Sequence, residues 1–310
     1  MKKVVICLIG PTAVGKTEVA LALAKRVDAE IISCDSMQVY RGIDIASSKP
    51  SRQQRKTAPH HLIDIRRPSQ EYNAASFRTS CLKIINQLHR RGKIPLIVGG
   101  TGLYLRALLE GLFSGPGQDA ALRRKFCQQA KKYGTGYLYR RLKNQDPQTA
   151  KSIHPHDQRR IIRALEVYAL AGEPISQLRK GTAGIRGQYD LRLFGLTRPR
   201  GELYARIEQR VDEMFKQGLV AEIKRLAKGK VSQTARSLLG YKEINGFLQG
   251  EYSLEEAKRL LKRNTRRYAK RQISWFKREK GVNWFEVGSE DTPEILAKKI
   301  LNSQLRTTNS

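Results

Sequence analysis

Three short stretches of this chain carry residue types and spacings suited to phosphate and proton chemistry. The first is GPTAVGKT at 10–17. Its spacing, Gly10-x4-Gly15-Lys16-Thr17, fits a loop whose backbone N–H groups wrap phosphate oxygens, with Lys16 on the outer phosphate and the Thr17 hydroxyl on Mg²⁺. The second is CDSMQVY at 34–40. Asp35 there has three readings: a turn or cap residue, a ligand in the outer sphere of Mg²⁺, or a general base kept charged by the nearby Lys16. The third is GGTGLYL at 99–105. Its glycines suit close backbone approach and would aim the Thr101 hydroxyl at a phosphate oxygen, although the same pattern suits a helix cap.

Strands and helices must hold these stretches together. VVICLI (4–9), EIIS (30–33), IPLIV (94–98) and LRLFGL (191–196) read as buried strands, with VNWFEV (282–287) a weaker fifth. After the first loop, Val19, Leu21, Leu23 and Ala24 recur as in an amphipathic helix, which puts the phosphate at a helix N-terminus. Each of the first four strands leads into a polar or glycine-rich loop. In an open parallel sheet such loops converge on one site beyond the strand ends. Roughly ninety residues between the third and fourth strands lack strand alternation and read as helices. The expected fold is therefore α/β, a P-loop NTPase-like parallel sheet with a helical insertion and a helical C-terminal region. The core spans 1–114 and 188–290, the insertion 115–187, and a tail 291–310, of which NSQLRTTNS reads as disordered.

Charge narrows the partner. Lysine and arginine total 59 against 28 aspartate and glutamate, a formal charge of +31, which points to a polyanion. Cys7, Cys34, Cys81 and Cys127 are scattered without a C-x-x-C pair, so neither zinc nor a disulfide framework is expected and a reducing compartment fits. The apolar start stops at Gly10-Pro11 without a cleavage pattern, and no run approaches the ~20 apolar residues of a membrane span. A cytoplasmic protein with no membrane partner is the expectation. Within 253–279, basic residues recur in pairs every four positions, from Lys258-Arg259 to Lys270-Arg271. No acid lies between Glu256 and Glu279, so this face is expected to lie against an anion.

Taken together, GPTAVGKT, DSMQVYRGIDI, PHHLID, VGGTGLYLRALL, RRIIRALEVY, LLGYKEI and TRRYAKRQISWF make the chain resemble the tRNA dimethylallyltransferases (tRNA isopentenyltransferases), from the first strand to about residue 285. It departs from the family at Ala46-Ser47-Ser48, where Gly-Thr-Ala is usual, and at Arg159-Arg160, where Gln-Arg is usual. The resemblance implies a prenyl transfer from dimethylallyl diphosphate to the exocyclic amine of the adenine beside the anticodon. Gly10, Thr12, Ala13, Val14, Gly15, Lys16 and Thr17 would hold the diphosphate with Arg206 and Arg210, and Mg²⁺ would sit on Thr17. Asp35 would take the amine proton, with Lys16 and Thr101 also catalytic. Asp35, Ser36, Met37, Gln38 and Thr101 would meet the flipped base and its neighbours. Arg123, Arg159, Arg160 and Arg163 would grip the anticodon stem-loop, and Ser237, Gly240, Tyr241 and Lys242 would add contacts. Arg266, Arg267, Lys270 and Arg271 of the basic helix would lie along the tRNA backbone; neither motif nor spacing fixes the oligomeric state, and a monomer is the expectation. The rival readings are a P-loop small-molecule or nucleotide kinase, which has no need of the basic helix, and a non-catalytic RNA-binding P-loop protein, which has no need of Asp35 with Thr101.

Overall fold

Six parallel strands form the sheet of the computed structural model, which describes residues 2–305. They are β1 Val4–Ile9, β2 Ala29–Cys34, β3 His60–His61, β4 Ile94–Gly99, β5 Asp190–Thr197 and β6 Val282–Glu286, in the order β3-β2-β4-β1-β5-β6. Five coincide with the apolar runs of the sequence. β3 is only two residues long, too short for its alternation to register. β1 runs between β4 and β5, with Ile9 opposite both Gly99 and Gly195. Cys34 of β2 stands opposite Gly99. The chain thus leaves β1, β2, β4 and β5 at one level of the sheet, at the switch in strand order where α/β folds bind ligands.

The helices are α1 Lys16–Arg26, α2 Arg52–Thr57, α3 Ala74–Arg90, α4 Gly102–Leu109, α5 Ala120–Tyr133, α6 Thr135–Gln145, α7 Pro147–Ser152, α8 Gln158–Ala171, α9 Ile175–Leu178, α10 Arg200–Lys216, α11 Leu219–Ala227, α12 Tyr241–Leu248, α13 Leu254–Phe276 and α14 Pro293–Leu305. The chain divides into two units, Met1–Leu108 with Arg186–Ser310, and Leu109–Ile185. In the larger, Ile6, Leu8, Leu23, Leu96, Phe194 and Leu196 build a core that also takes in Leu203 and Ile207 of α10. Leu296, Ala297 and Ile300 of α14 join it. The first residues of the stretch expected to be disordered, 302–305, are therefore helical as the end of α14, whose preceding turns are anchored on the core; 306–310 lie outside the described residues. Among the described residues no helix is long and apolar enough to cross a membrane.

The smaller unit is helical, α5 to α9, around Phe126, Leu138, Leu142, Ile161, Leu165 and Val167. Gly172 closes α8 in the left-handed conformation, at φ 72°, the stop its sequence position suggests. Glu166, fully buried, gathers the charges of this unit. Its carboxylate accepts from the Asp119 backbone N–H at 2.8 Å, from Arg123 at 2.9 and 3.1 Å, and from Arg163 at 2.7 Å.

The α13 face corrects one expectation. Past Glu255 and Glu256 in its first turn, acids are absent from the helix itself but not from its surroundings. Asp212 of α10 accepts from Lys258 and Lys262, Glu208 of α10 pairs with Arg266, and Glu256 pairs with Arg259. Sequence distance hid Asp212 and Glu208, and four cations of the face, Lys258, Arg259, Lys262 and Arg266, already sit on three carboxylates without any external anion. Arg267, Lys270 and Arg271 remain exposed.

Candidate active site

The loop between β1 and α1 bends because Gly15, at φ 107°, takes a left-handed conformation that ends the loop and caps α1. Lys16 then opens the helix, and its ammonium turns back to donate to the carbonyls of Gly10 (2.9 Å) and Pro11 (2.7 Å). Burial pushes its pKa down to about 7, with Arg210 acting in the same direction and Asp35 and Glu18 against it. Arg206 of α10 donates to the Ala13 carbonyl at 3.0 Å, and Arg210, one turn on, to the Thr12 hydroxyl at 3.5 Å. Arg198, just after β5, donates to the Val14 carbonyl at 3.2 Å. The loop is thus ringed by cations whose partners in the loop are neutral oxygens.

Asp35 follows β2. Its Oδ1 accepts the backbone N–H of Met37 at 2.8 Å and that of Gln38 at 3.3 Å. That is an Asx turn, which fixes the side chain and leaves Oδ2 as an acceptor. The turn role and a chemical role are therefore compatible, each using a different oxygen. Thr101 follows β4. Its N–H donates to the Cys34 carbonyl at 3.3 Å, and its hydroxyl accepts the Ser36 N–H at 3.2 Å, which ties the second and third loops together. The Tyr268 phenol of α13 hydrogen-bonds Thr101; burial first, and Asp35 second, raise its pKa so that it stays protonated.

The glycines around Thr101 serve a purpose the sequence did not reveal. A Cβ on Gly99 would stand 2.1 Å from the Cys34 carbonyl, one on Gly100 2.2 Å from the Gln272 amide, and one on Gly102 2.3 Å from the Trp275 ring. The close approach is made by protein rather than by ligand. Gln272 explains it: its Oε1 accepts the Thr12 N–H and its Nε2 donates to the Gly100 carbonyl, both at 2.8 Å. One buried side chain of α13 thereby clamps the first loop to the third. A sequence signal existed, since Gln272 lies three residues after Ala269 and four before Phe276, a polar residue on the apolar stripe.

These loops enclose a cavity of about 760 Å³. Of the residues singled out from sequence, Thr12, Ala13, Gly15, Lys16, Thr17, Asp35, Gln38, Arg206 and Arg210 line it, and Tyr268 and Gln272 join them. Ser36, Met37 and Thr101 stand beside it through the hydrogen bonds above. Gly10 supports the Lys16 ammonium, and Val14 is fully buried. The others lie elsewhere. Gly240 is buried with its N–H on Glu243, while Ser237 and Lys242 nearby are exposed and Tyr241 half-buried. In the helical unit Arg123 and Arg163 are held on Glu166, and Arg159 and Arg160 are exposed.

Among the described residues no three His, Cys, Asp or Glu side chains gather as a metal cage. The donor set, the Thr17 hydroxyl at the start of α1 with the carboxylates of Glu18, Asp35, Asp44 and Glu213 spread along the same cavity rather than clustered, suits Mg²⁺ that arrives with phosphate oxygens and keeps several waters.

Comparisons with known proteins agree with this architecture. A family model described as IPP transferase matches residues 38–279. A tRNA dimethylallyltransferase of Halothermothrix orenii is 46% identical over 296 residues, covering 94% of this chain and 90% of that protein. The crystal structure of a tRNA isopentenylpyrophosphate transferase from Bacillus halodurans superposes with a TM-score of 0.71 at 39% identity, covering 99% of this chain and 98% of the other. A eukaryotic dimethylallyltransferase acting on tRNA gives a TM-score of 0.76 at 31% identity, covering 98% and 77%. By its sequence and by the parallel sheet that carries its phosphate loop, the chain belongs to the IPP transferase family, among relatives that are tRNA dimethylallyltransferases.

Proposed function

We propose that this enzyme transfers the dimethylallyl group of dimethylallyl diphosphate to the exocyclic N6 amine of the adenosine on the 3′ side of the anticodon in tRNA. One observation carries the reading: a carboxylate held by its own turn, Asp35, lines the same cavity as a phosphate loop ringed by Lys16, Arg206 and Arg210. The amine lone pair is delocalised into the purine ring and attacks weakly, so the reaction needs a proton acceptor on one side and an easy departure on the other. The N6 nitrogen forms a bond to C1 of the prenyl group as the C1–O bond breaks. The proton passes to Asp35, and diphosphate leaves with the bonding electrons.

Lys16, Arg206 and Arg210 receive the charge that develops on the leaving oxygens. Each such donor is worth roughly 3–4 kcal/mol, or 10²–10³ in rate. Mg²⁺, held by Thr17 and the diphosphate, would add to that neutralisation. Thr101, fixed by the Ser36 N–H and by Tyr268, is the hydroxyl that this reading assigns to bridging leaving group and amine. The adenine must leave its stack to reach the cavity, which costs a few kcal/mol and least in a single-stranded loop. The exposed cations Arg159, Arg160, Lys242, Arg267, Lys270 and Arg271 supply phosphate contacts that offset that cost, and the exposed Ser237 hydroxyl adds a neutral one.

The test is to incubate the enzyme with Mg²⁺, unmodified tRNA and dimethylallyl diphosphate labelled in the prenyl carbon, then digest the RNA to nucleosides. The expected result is label on N6 of adenosine together with released diphosphate. Label moving instead from the γ-phosphate of ATP to an acceptor would establish a kinase.

A further inference from the structure

We infer that Glu222 is a positioning residue for base recognition, acting through the 44–48 loop on the Gln38 amide; the inference rests on the reading of the cavity as a prenyl-transfer site. Glu222 lies on α11, is 4% exposed, and does not line the cavity. A carboxylate this buried requires compensation. Three successive backbone N–H groups provide it: Asp44 (2.8 Å) and Ile45 (2.9 Å) donate to Oε2, and Ala46 (2.9 Å) donates to Oε1. These amides belong to no helix or strand, so the carboxylate sets their direction. The loop is closed at its far end by Lys49, whose ammonium donates to the Tyr40 carbonyl at 2.9 Å and to Asp64 at 2.6 Å.

The loop held in this way reaches the cavity. Ser47 and Ser48 line it, Ser48 in a left-handed conformation at φ 47°. Their carbonyls accept from Gln38 Nε2 at 3.5 and 3.4 Å, while the Ser33 hydroxyl donates to Gln38 Oε1 at 2.8 Å. Both ends of the amide are therefore assigned by their neighbours. The nitrogen faces two carbonyls, and the oxygen keeps a lone pair for an incoming donor. An adenine amine supplies that donor; the carbonyl oxygen of guanine would meet an acceptor. Ala46-Ser47-Ser48, where the chain departs from its family's usual residues, thus begins at the last amide that Glu222 holds and ends at the two carbonyls that orient Gln38.

The test uses Glu222→Ala and Glu222→Gln in the full chain. The glutamine keeps the volume, and with it the fold, but sets an NH₂ donor among three N–H donors. Hydrogen exchange should show loss of protection at the 44–46 amides in both variants, with the phosphate loop unchanged. Affinity for anticodon stem-loops carrying adenine or guanine at the target position, measured with inorganic pyrophosphate present, should lose about tenfold of its adenine preference, the value of one hydrogen bond of this kind. The KM for dimethylallyl diphosphate should stay within about twofold. Unprotected amides with an unchanged adenine preference would overturn the inference, as would a KM that rises in step with the loss of preference. A wild-type enzyme that leaves RNA unlabelled would instead overturn the prenyl-transfer reading, and the hydrogen-exchange result would stand apart from it.

Discussion

Two regions of the larger unit are rich in cations, and they use them in opposite ways. Around the phosphate loop, Lys16, Arg206 and Arg210 hydrogen-bond to carbonyls and a hydroxyl, so their positive charge is oriented but not cancelled. Along α13, Lys258, Lys262 and Arg266 sit on the carboxylates of Asp212 and Glu208, so their charge is largely cancelled. The same division holds in the helical unit, where Arg123 and Arg163 share Glu166. A run of basic residues in a sequence therefore says little by itself. What distinguishes an anion site from a structural ion pair is whether the partner that fixes the cation is neutral or acidic, and that is decided by elements distant in sequence.

The largest effect is expected where charge and proton transfer meet. Asp35→Asn keeps an oxygen for the Met37 and Gln38 N–H groups but removes the base, so turnover should fall by about 10²–10⁴ while tRNA affinity changes little, a range set by general-base catalysis. Single-turnover kinetics beside an RNA-binding titration separates the two. If Asn restored near-normal turnover, the turn alone would account for Asp35.

A smaller effect should divide the α13 face itself. Replacing Arg267, Lys270 and Arg271 by Gln should make the slope of log affinity against log salt shallower by about 0.7–0.9 per charge. Replacing Lys258, Lys262 and Arg266 should change it far less, because they already sit on the carboxylates of Asp212 and Glu208. Titrations of an anticodon stem-loop at several salt concentrations measure both sets. Equal slopes for the two sets would break the distinction between cancelled and uncancelled cations.

How much of this was legible in the sequence follows from the range over which each signal acts. The strands β1, β2, β4 and β5 and the loops after them are local patterns of β-branched residues, glycine and lysine, and they read directly. Asp35 was legible as a candidate because its position after β2 fixed its level in the sheet. Contacts across long sequence separations were not. The glycines of GGTG looked like room for a ligand, yet their neighbours are Cys34, Gln272 and Trp275. α13 looked like an unpaired basic stripe because Glu208 and Asp212 belong to α10. Glu222 had no local signature at all: an acid on an amphipathic helix is ordinary until the three amides it accepts are brought to it by the fold.

The charge distinction rests most directly on Lys16, whose pKa of about 7 makes its charge adjustable in the accessible pH range. Inorganic pyrophosphate binds the ammonium form, so binding takes up a proton at Lys16 and affinity should strengthen as pH falls towards 7. Above 7 it should weaken by up to about tenfold per pH unit, until another group titrates. Calorimetric titration of the wild type and of Lys16→Met between pH 6 and 9, in two buffers of different ionisation heat, reads both the affinity and the proton uptake. The expected result is that the wild type loses affinity with rising pH more steeply, and takes up more protons on binding, than Lys16→Met, in which only the titration of pyrophosphate itself remains. A pH dependence and proton uptake as large in Lys16→Met as in the wild type would contradict the assignment of this loop as the diphosphate site.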